Sequence, residues 1–117
     1  MVKRDDVIMA VIRMCKMWKF SYMPWDNGKV DYDKIPMGIR PPFRFENSLM
    51  LMLQHNKLGH KDLTFYSNSN GDLVAVEASD ATETLLNSCS RLGQFYGFPY
   101  KKVEKNPHES RSYFFYF

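Results

Sequence analysis

Seven residues carry the charges and rings that a phosphate-bearing ligand requires: Arg40, Arg44, Tyr100, Lys101, Lys102, Arg111 and Tyr113. Cations neutralise phosphate and aromatic rings stack on bases, so such an interleaved set points to single-stranded nucleic acid or a nucleotide. Five of the seven fall in the last eighteen residues, where Lys105 and His108 add to the basic cluster. Glu104 and Glu109 interrupt it, and a strand edge guarded by lysines accounts for the same residues. Arg40 and Arg44 bracket Pro41-Pro42-Phe43. At the start of a helix, two guanidiniums and the exposed backbone N–H groups would together grip a phosphate or carboxylate. No Gly-Lys-Ser/Thr sequence accompanies them, so surface ion pairing is the competing reading.

Catalytic and metal chemistry find less support. His55 and His60 lie five apart and share no helix face, and His108 stands alone. Asp31 and Asp33 would project from one strand face, but two carboxylates make a poor cation site without further oxygen ligands. No catalytic residue, metal site or cofactor is therefore assigned, and the chain reads as non-enzymatic.

The residues must be positioned by a chain of 117 residues, 44% hydrophobic and 25% charged, which is ordinary globular usage and supports a single domain over 1–117. Aromatic residues at 15% and eight methionines supply contact area at modest conformational cost. The net charge of +3 is too small for a dedicated duplex-DNA binder, and residues 71–97 are acidic, with one basic residue against four acidic ones. Cys15 and Cys89 lack metal or disulfide spacing, which suits a reducing compartment. No apolar leader opens the chain and no run approaches the roughly 18 apolar residues of a membrane span, so a cytoplasmic setting without membrane contact is expected.

Val7, Ile8, Val11, Met14, Cys15 and Trp18 recur at helical spacing and predict a helix over Asp5–Lys19. Asn27-Gly28 predicts a hairpin joining Phe20–Trp25 to Lys29–Tyr32, with Pro24 confining its strand to a sheet edge. Phe45–Leu58 reads as a helix stopped by Gly59, because Leu and Met favour helix; a buried strand over Leu49–Leu53 is the alternative. Asn70-Gly71 predicts a second hairpin in which Phe65 faces Val76 and Leu63 faces Ala78. Asp80 and Glu83 resemble a capping box, and the apolar stripe from Leu85 to Tyr96 predicts a third helix ending at Gly97. Tyr100–Glu104 and Arg111–Phe117 make the last hairpin.

The expected fold is therefore α+β, with about three helices on one face of an antiparallel sheet of about six strands, in helix–hairpin order three times over. Its terminal strand, Ser112–Phe117, places aromatics on both faces. Three helices cover one face only, so self-association across the terminal hairpin is expected to cover the other, with the basic rim beside it as ligand site. Two functions follow. One is a binding protein for a phosphate-bearing ligand. The other is a small interaction or inhibitor protein, of the kind that accompanies mobile elements, that blocks a macromolecular partner through an aromatic and Met-bearing surface.

Overall fold

Helix α1 (Arg4–Trp18) forms where the spacing predicts it, with Asp5 and Asp6 at its positive end. Val7, Val11 and Cys15, four apart, form one fully buried stripe. Trp18, expected inward, is 64% exposed, because the helix stops there and Lys19 turns left-handed at φ 61°. The computed structural model describes residues 1–79 and 93–117. Among the described residues eight strands follow the helix: β1 (Ser21–Lys29), β2 (Asn47–His55), β3 (Gly59–Ser67), β4 (Leu73–Ser79), β5 (Gln94–Phe95), β6 (Phe98–Pro99), β7 (Lys102–Lys105) and β8 (Ser112–Tyr116). Six of them make one sheet in the order β1-β2-β3-β4-β8-β7, every pair antiparallel, while β5 and β6 pair with each other.

The expectation of three helices on a sheet is overturned. Among the described residues there is one α-helix and a single 3-10 turn, Tyr32–Lys34, and the protein is mostly β. The expected helix Phe45–Leu58 is strand β2, paired through nine consecutive positions with β3. Leu51 and Leu53 alternate inward there with a period of two, and that continuous ladder outweighs the intrinsic preference of Leu and Met. The third expected helix falls largely on residues 80–92, outside the described residues, but its expected end is β5. Tyr96 and Gly97, at φ 50° and 93°, make the β5–β6 turn.

The first expected hairpin is absent as well. Asn27-Gly28 is a bulge within β1, where the pairing with β2 shifts register between Asp26 and Gly28. The Asp26 carboxylate accepts the Gly28 N–H at 2.8 Å and Asn27 donates to Ser48 Oγ at 2.9 Å. β2 offers β1 a partner longer than the short Lys29–Tyr32 segment would be. Pro24 does lie on an edge strand. The Asn70-Gly71 hairpin has the expected register, Phe65 on Val76 and Leu63 on Ala78, and the terminal hairpin forms as β7–β8.

One sheet face packs under α1: Leu51, Leu53, Leu63, Phe65, Val76 and Phe115 join the helix stripe in the main core. The opposite face is covered in part by residues 30–46, the connection from β1 to β2. Phe43 and Phe45 lie edge-on against Tyr66 at 5.0 and 4.7 Å, and Phe43 also meets Phe114 at 5.0 Å and Tyr116 at 5.6 Å. The connection is braced within itself: Arg40 donates to the Ile35 and Asp33 carbonyls, and Tyr32 OH to that of Pro41. Phe114 and Phe115, on opposite faces of β8, are thereby buried by this chain's own residues, and Tyr113 and Tyr116 are half-buried. The premise behind the expected self-association, that three helices cover one face and leave the other bare, does not hold.

Candidate functional site

The seven sequence-derived site residues do not converge. β8 lies inside the sheet, and its alternation sends them to opposite faces. Tyr113 sits on the α1 side, paired with Ala78 and Lys105, and Tyr100 packs edge-on against Phe115 at 5.1 Å on that side. Lys102 lies on the other face, 4.8 Å over the Tyr116 ring and 3.0 Å from Glu104. Lys101 and Arg111 are exposed at the two ends of the hairpin. Both rings are therefore half-buried packing groups instead of open stacking platforms.

Arg40 and Arg44 do come together, and a strand follows them, not a helix. Their guanidiniums lie 5.1 and 4.9 Å from the centre of the Tyr32 ring, within cation–π range. Arg44 grips both oxygens of Asp33 at 3.1 Å, and this hydrogen-bonded pair holds the Asp33 carboxyl below the usual carboxylate range. Beside them opens a cleft of about 540 Å³ lined by Lys29, Asp31, Tyr32, Arg44, Phe45 and Glu46, among others. Two cations and two carboxylates balance in that lining.

The histidines serve local structure. His55 Nδ1 accepts the N–H groups of Lys57 and Leu58 at 3.1 Å and so closes the β2–β3 turn, and His60 lies 2.8 Å from Asp62. At His108 it is the backbone N–H that donates, to Asn106 Oδ1 at 2.9 Å. Asp31 caps the 3-10 turn while Asp33 is taken by Arg44, which separates the two carboxylates. Among the described residues no group of three or more His, Cys, Asp or Glu is placed to hold a metal ion, and no helix is long and apolar enough to cross a membrane.

A different feature stands out on the sheet face opposite α1. Residues 30–46 cover its β3-β4-β8 side but leave the β1–β2 side open. There Met23 pairs with Met52 and Trp25 with Met50, so all four side chains share this face. Met23 is 57% and Trp25 58% exposed, and Met50 and Met52 are half-buried. Thr64 and Asp62 continue the face on β3, opposite Met50 and Met52. Met and Trp are the types enriched at the centres of protein interfaces. The signal in the sequence is the alternation Met23-Pro24-Trp25 against Met50-Leu51-Met52, which shows a shared face only once β1 and β2 are known to pair.

No protein-family model matches this chain, and no curated protein or solved structure matches it either.

Proposed function

We propose that the protein is a non-enzymatic interaction protein that docks a macromolecular partner on the open sheet face formed by Met23, Trp25, Met50 and Met52. The observation that carries this reading is the exposure of Met23 and Trp25, each above one half, on a face where β2 adds two more methionines. A large indole left in water on a rigid strand retains area to bury on binding, at little entropic cost. Replacing Met23 and Trp25 together by serine removes mostly exposed surface, so the far-UV spectrum and urea midpoint should change little. Binding should fall by about 30-fold or more, the loss expected for a Trp hot spot. Calorimetry with the partner that co-purifies stoichiometrically with the tagged wild-type chain measures it. A variant that retains the partner at full affinity overturns the reading.

A phosphate-bearing ligand is the second reading, and one observation favours it: Lys29 and Arg44 both line the open cleft, with Tyr32 between them in the lining. In this reading the ligand displaces Asp33 from Arg44. Titration with a nucleotide and a single-stranded oligonucleotide should show binding that weakens in Lys29→Ala/Arg44→Ala, with a flatter salt dependence. It should survive in Lys101→Ala/Lys102→Ala/Arg111→Ala, whose side chains lie on the other hairpin. The opposite result would return the site to the terminal hairpin.

A further inference from the structure

We infer that the corner of the molecule where α1 ends beside the β2–β3 turn docks on an anionic lipid surface. Lys16, Lys19 and Lys57 pair there with headgroup phosphates and carboxylates, while Met17, Trp18 and Leu58 enter the headgroup layer. The inference is independent of the Met23/Trp25 face.

Two stretches of chain build this corner, residues 7–25 and 47–61, and neither contains an Asp or a Glu. The first carries Arg13, Lys16 and Lys19, the second Lys57 and Lys61. These five charges exceed the net +3 of the whole chain, so the remainder is net negative by 5 − 3 = 2. The fold sets the two stretches side by side. Lys19 ends the helix, the Phe20 ring lies 4.8 Å from that of His55, and Ser21 pairs with Gln54 just before the turn.

Elsewhere the cations find carboxylates: Lys3 on Asp72, Arg4 on Asp5, Arg44 on Asp33 and Lys102 on Glu104. Among the described residues none of the five at this corner makes an ion pair. Lys61 is the extreme case. It lies on the α1 side of β3 in register with Leu53 and is only 6% exposed, so its charge favours a counter-ion supplied from outside.

The apolar groups decide which anionic partner fits. Met17 and Trp18 are exposed at the last positions of α1. Leu58 is exposed at the tip of the turn that His55 closes by accepting the Lys57 and Leu58 N–H groups. Single-stranded nucleic acid needs successive rings on which to stack, and here one indole stands among aliphatic side chains. A helix end and a tight turn both project, which suits a flat surface better than a peptide that seeks a groove. An indole at headgroup level, aliphatic groups beside it and lysines at the phosphates is the composition of an interfacial anchor. Docking of this kind needs no spanning segment.

Vesicles of phosphatidylcholine with roughly one-third phosphatidylserine should sediment the full chain at low salt, and pure phosphatidylcholine should not. Binding should weaken as salt rises. Each lysine near an anionic surface contributes about 5-fold, so Lys16→Ala/Lys19→Ala/Lys57→Ala should bind about 100-fold more weakly. All three side chains are exposed, so far-UV spectra should show the fold intact. Lys34→Ala, in the β1–β2 connection, removes a charge far from the corner and should bind as the wild type does. In a Trp25→Phe background the emission of Trp18 should move to the blue when vesicles are added. Failure to sediment with the anionic vesicles overturns the inference, as do equal losses in Lys34→Ala and Lys57→Ala. Trp18 emission that does not move on binding overturns it too. A single-stranded oligonucleotide held through Lys16, Lys19 and Lys57 by a chain that ignores vesicles would assign the corner to nucleic acid instead.

Discussion

Truncating Phe43 to alanine is expected to lower the free energy of unfolding by about 3 kcal/mol, the lower end of the range for Phe-to-Ala changes, since Phe43 is only half-buried. Its ring touches four others: Phe45 at 6.0 Å, Tyr66 and Phe114 at 5.0 Å, and Tyr116 at 5.6 Å. Three of those contacts are edge-on, the geometry that adds to simple area burial. Together with Phe45, Phe43 thus holds the β1–β2 connection on the sheet, and it alone of the two reaches Phe114 and Tyr116 of β8. Its loss leaves Phe114, now 1% exposed, beneath a cavity. Urea unfolding should show a lower midpoint, and binding of a hydrophobic dye should rise as the aromatic face opens. Met37 and Ile39 lie in the same connection but are 80% and 67% exposed, so alanine at either should cost no more than about 0.5 kcal/mol. Equal costs at Phe43 and Ile39 would mean that the connection does not cover the sheet as a packed layer.

This contrast shows where the sequence is informative and where it is not. The β3–β4 hairpin is legible because two signals agree. Asn70-Gly71 asks for a tight turn, and the alternating Leu63, Phe65, Val76 and Ala78 ask for a dry face in that register. The Asn68 side chain then locks the turn by accepting the N–H groups of Asn70 and Asp72. The same dipeptide at Asn27-Gly28 gives a bulge, because its meaning depends on which strand lies alongside, and β2 is eighteen or more residues away in the chain. β2 in turn is hard to read, since Leu and Met at successive positions satisfy both a helical and a strand period. Only the neighbouring ladder decides between them. Of the candidate residues, chemical type is legible but long-range pairing is not: Arg44 turns to Asp33, a partner that local spacing does not single out, whereas Lys102 meets Glu104 two positions along the same strand, as its alternation allows. Trp25 is misleading for a related reason. An apolar residue alternating along a strand reads as core, and it is exposed here because residues 30–46 cover the other end of that face.

The second large effect is expected at Glu77. Its carboxylate accepts from Tyr66 OH at 2.6 Å, from Ser112 Oγ, and from Asn106 Nδ2 at 3.2 Å, so one side chain of β4 ties together β3, β8 and the β7–β8 turn. Glu77→Ala strands these donors in a part-buried site and should cost about 3 kcal/mol, within the range for hydrogen bonds to a charged group and unsatisfied partners combined. Glu77→Gln keeps the shape and one acceptor oxygen, and should cost about half as much. A distinct signature lies in the alkaline range. Burial first, then the neighbouring Glu77 charge, raises the Tyr66 phenol well above its ordinary value of 10.0. Burial and the hydrogen bond to Glu104 push Tyr116 up to about 12. A pKa raised by folding means that the native state holds the proton longer than the unfolded chain. The stability that these phenols contribute is therefore complete below pH 10 and is lost as the pH rises towards 12 and beyond. Without the Glu77 charge, the Tyr66 phenolate is less opposed. The alanine variant should accordingly be less stable at neutral pH, and its alkaline loss of stability, which begins near pH 10 in both proteins, should level off at a lower pH than in the wild type, as read from urea midpoints and from the phenolate absorbance of the native protein. A native Tyr66 that ionises at the same pH in both proteins would show that it does not sense Glu77 and that burial alone holds its proton.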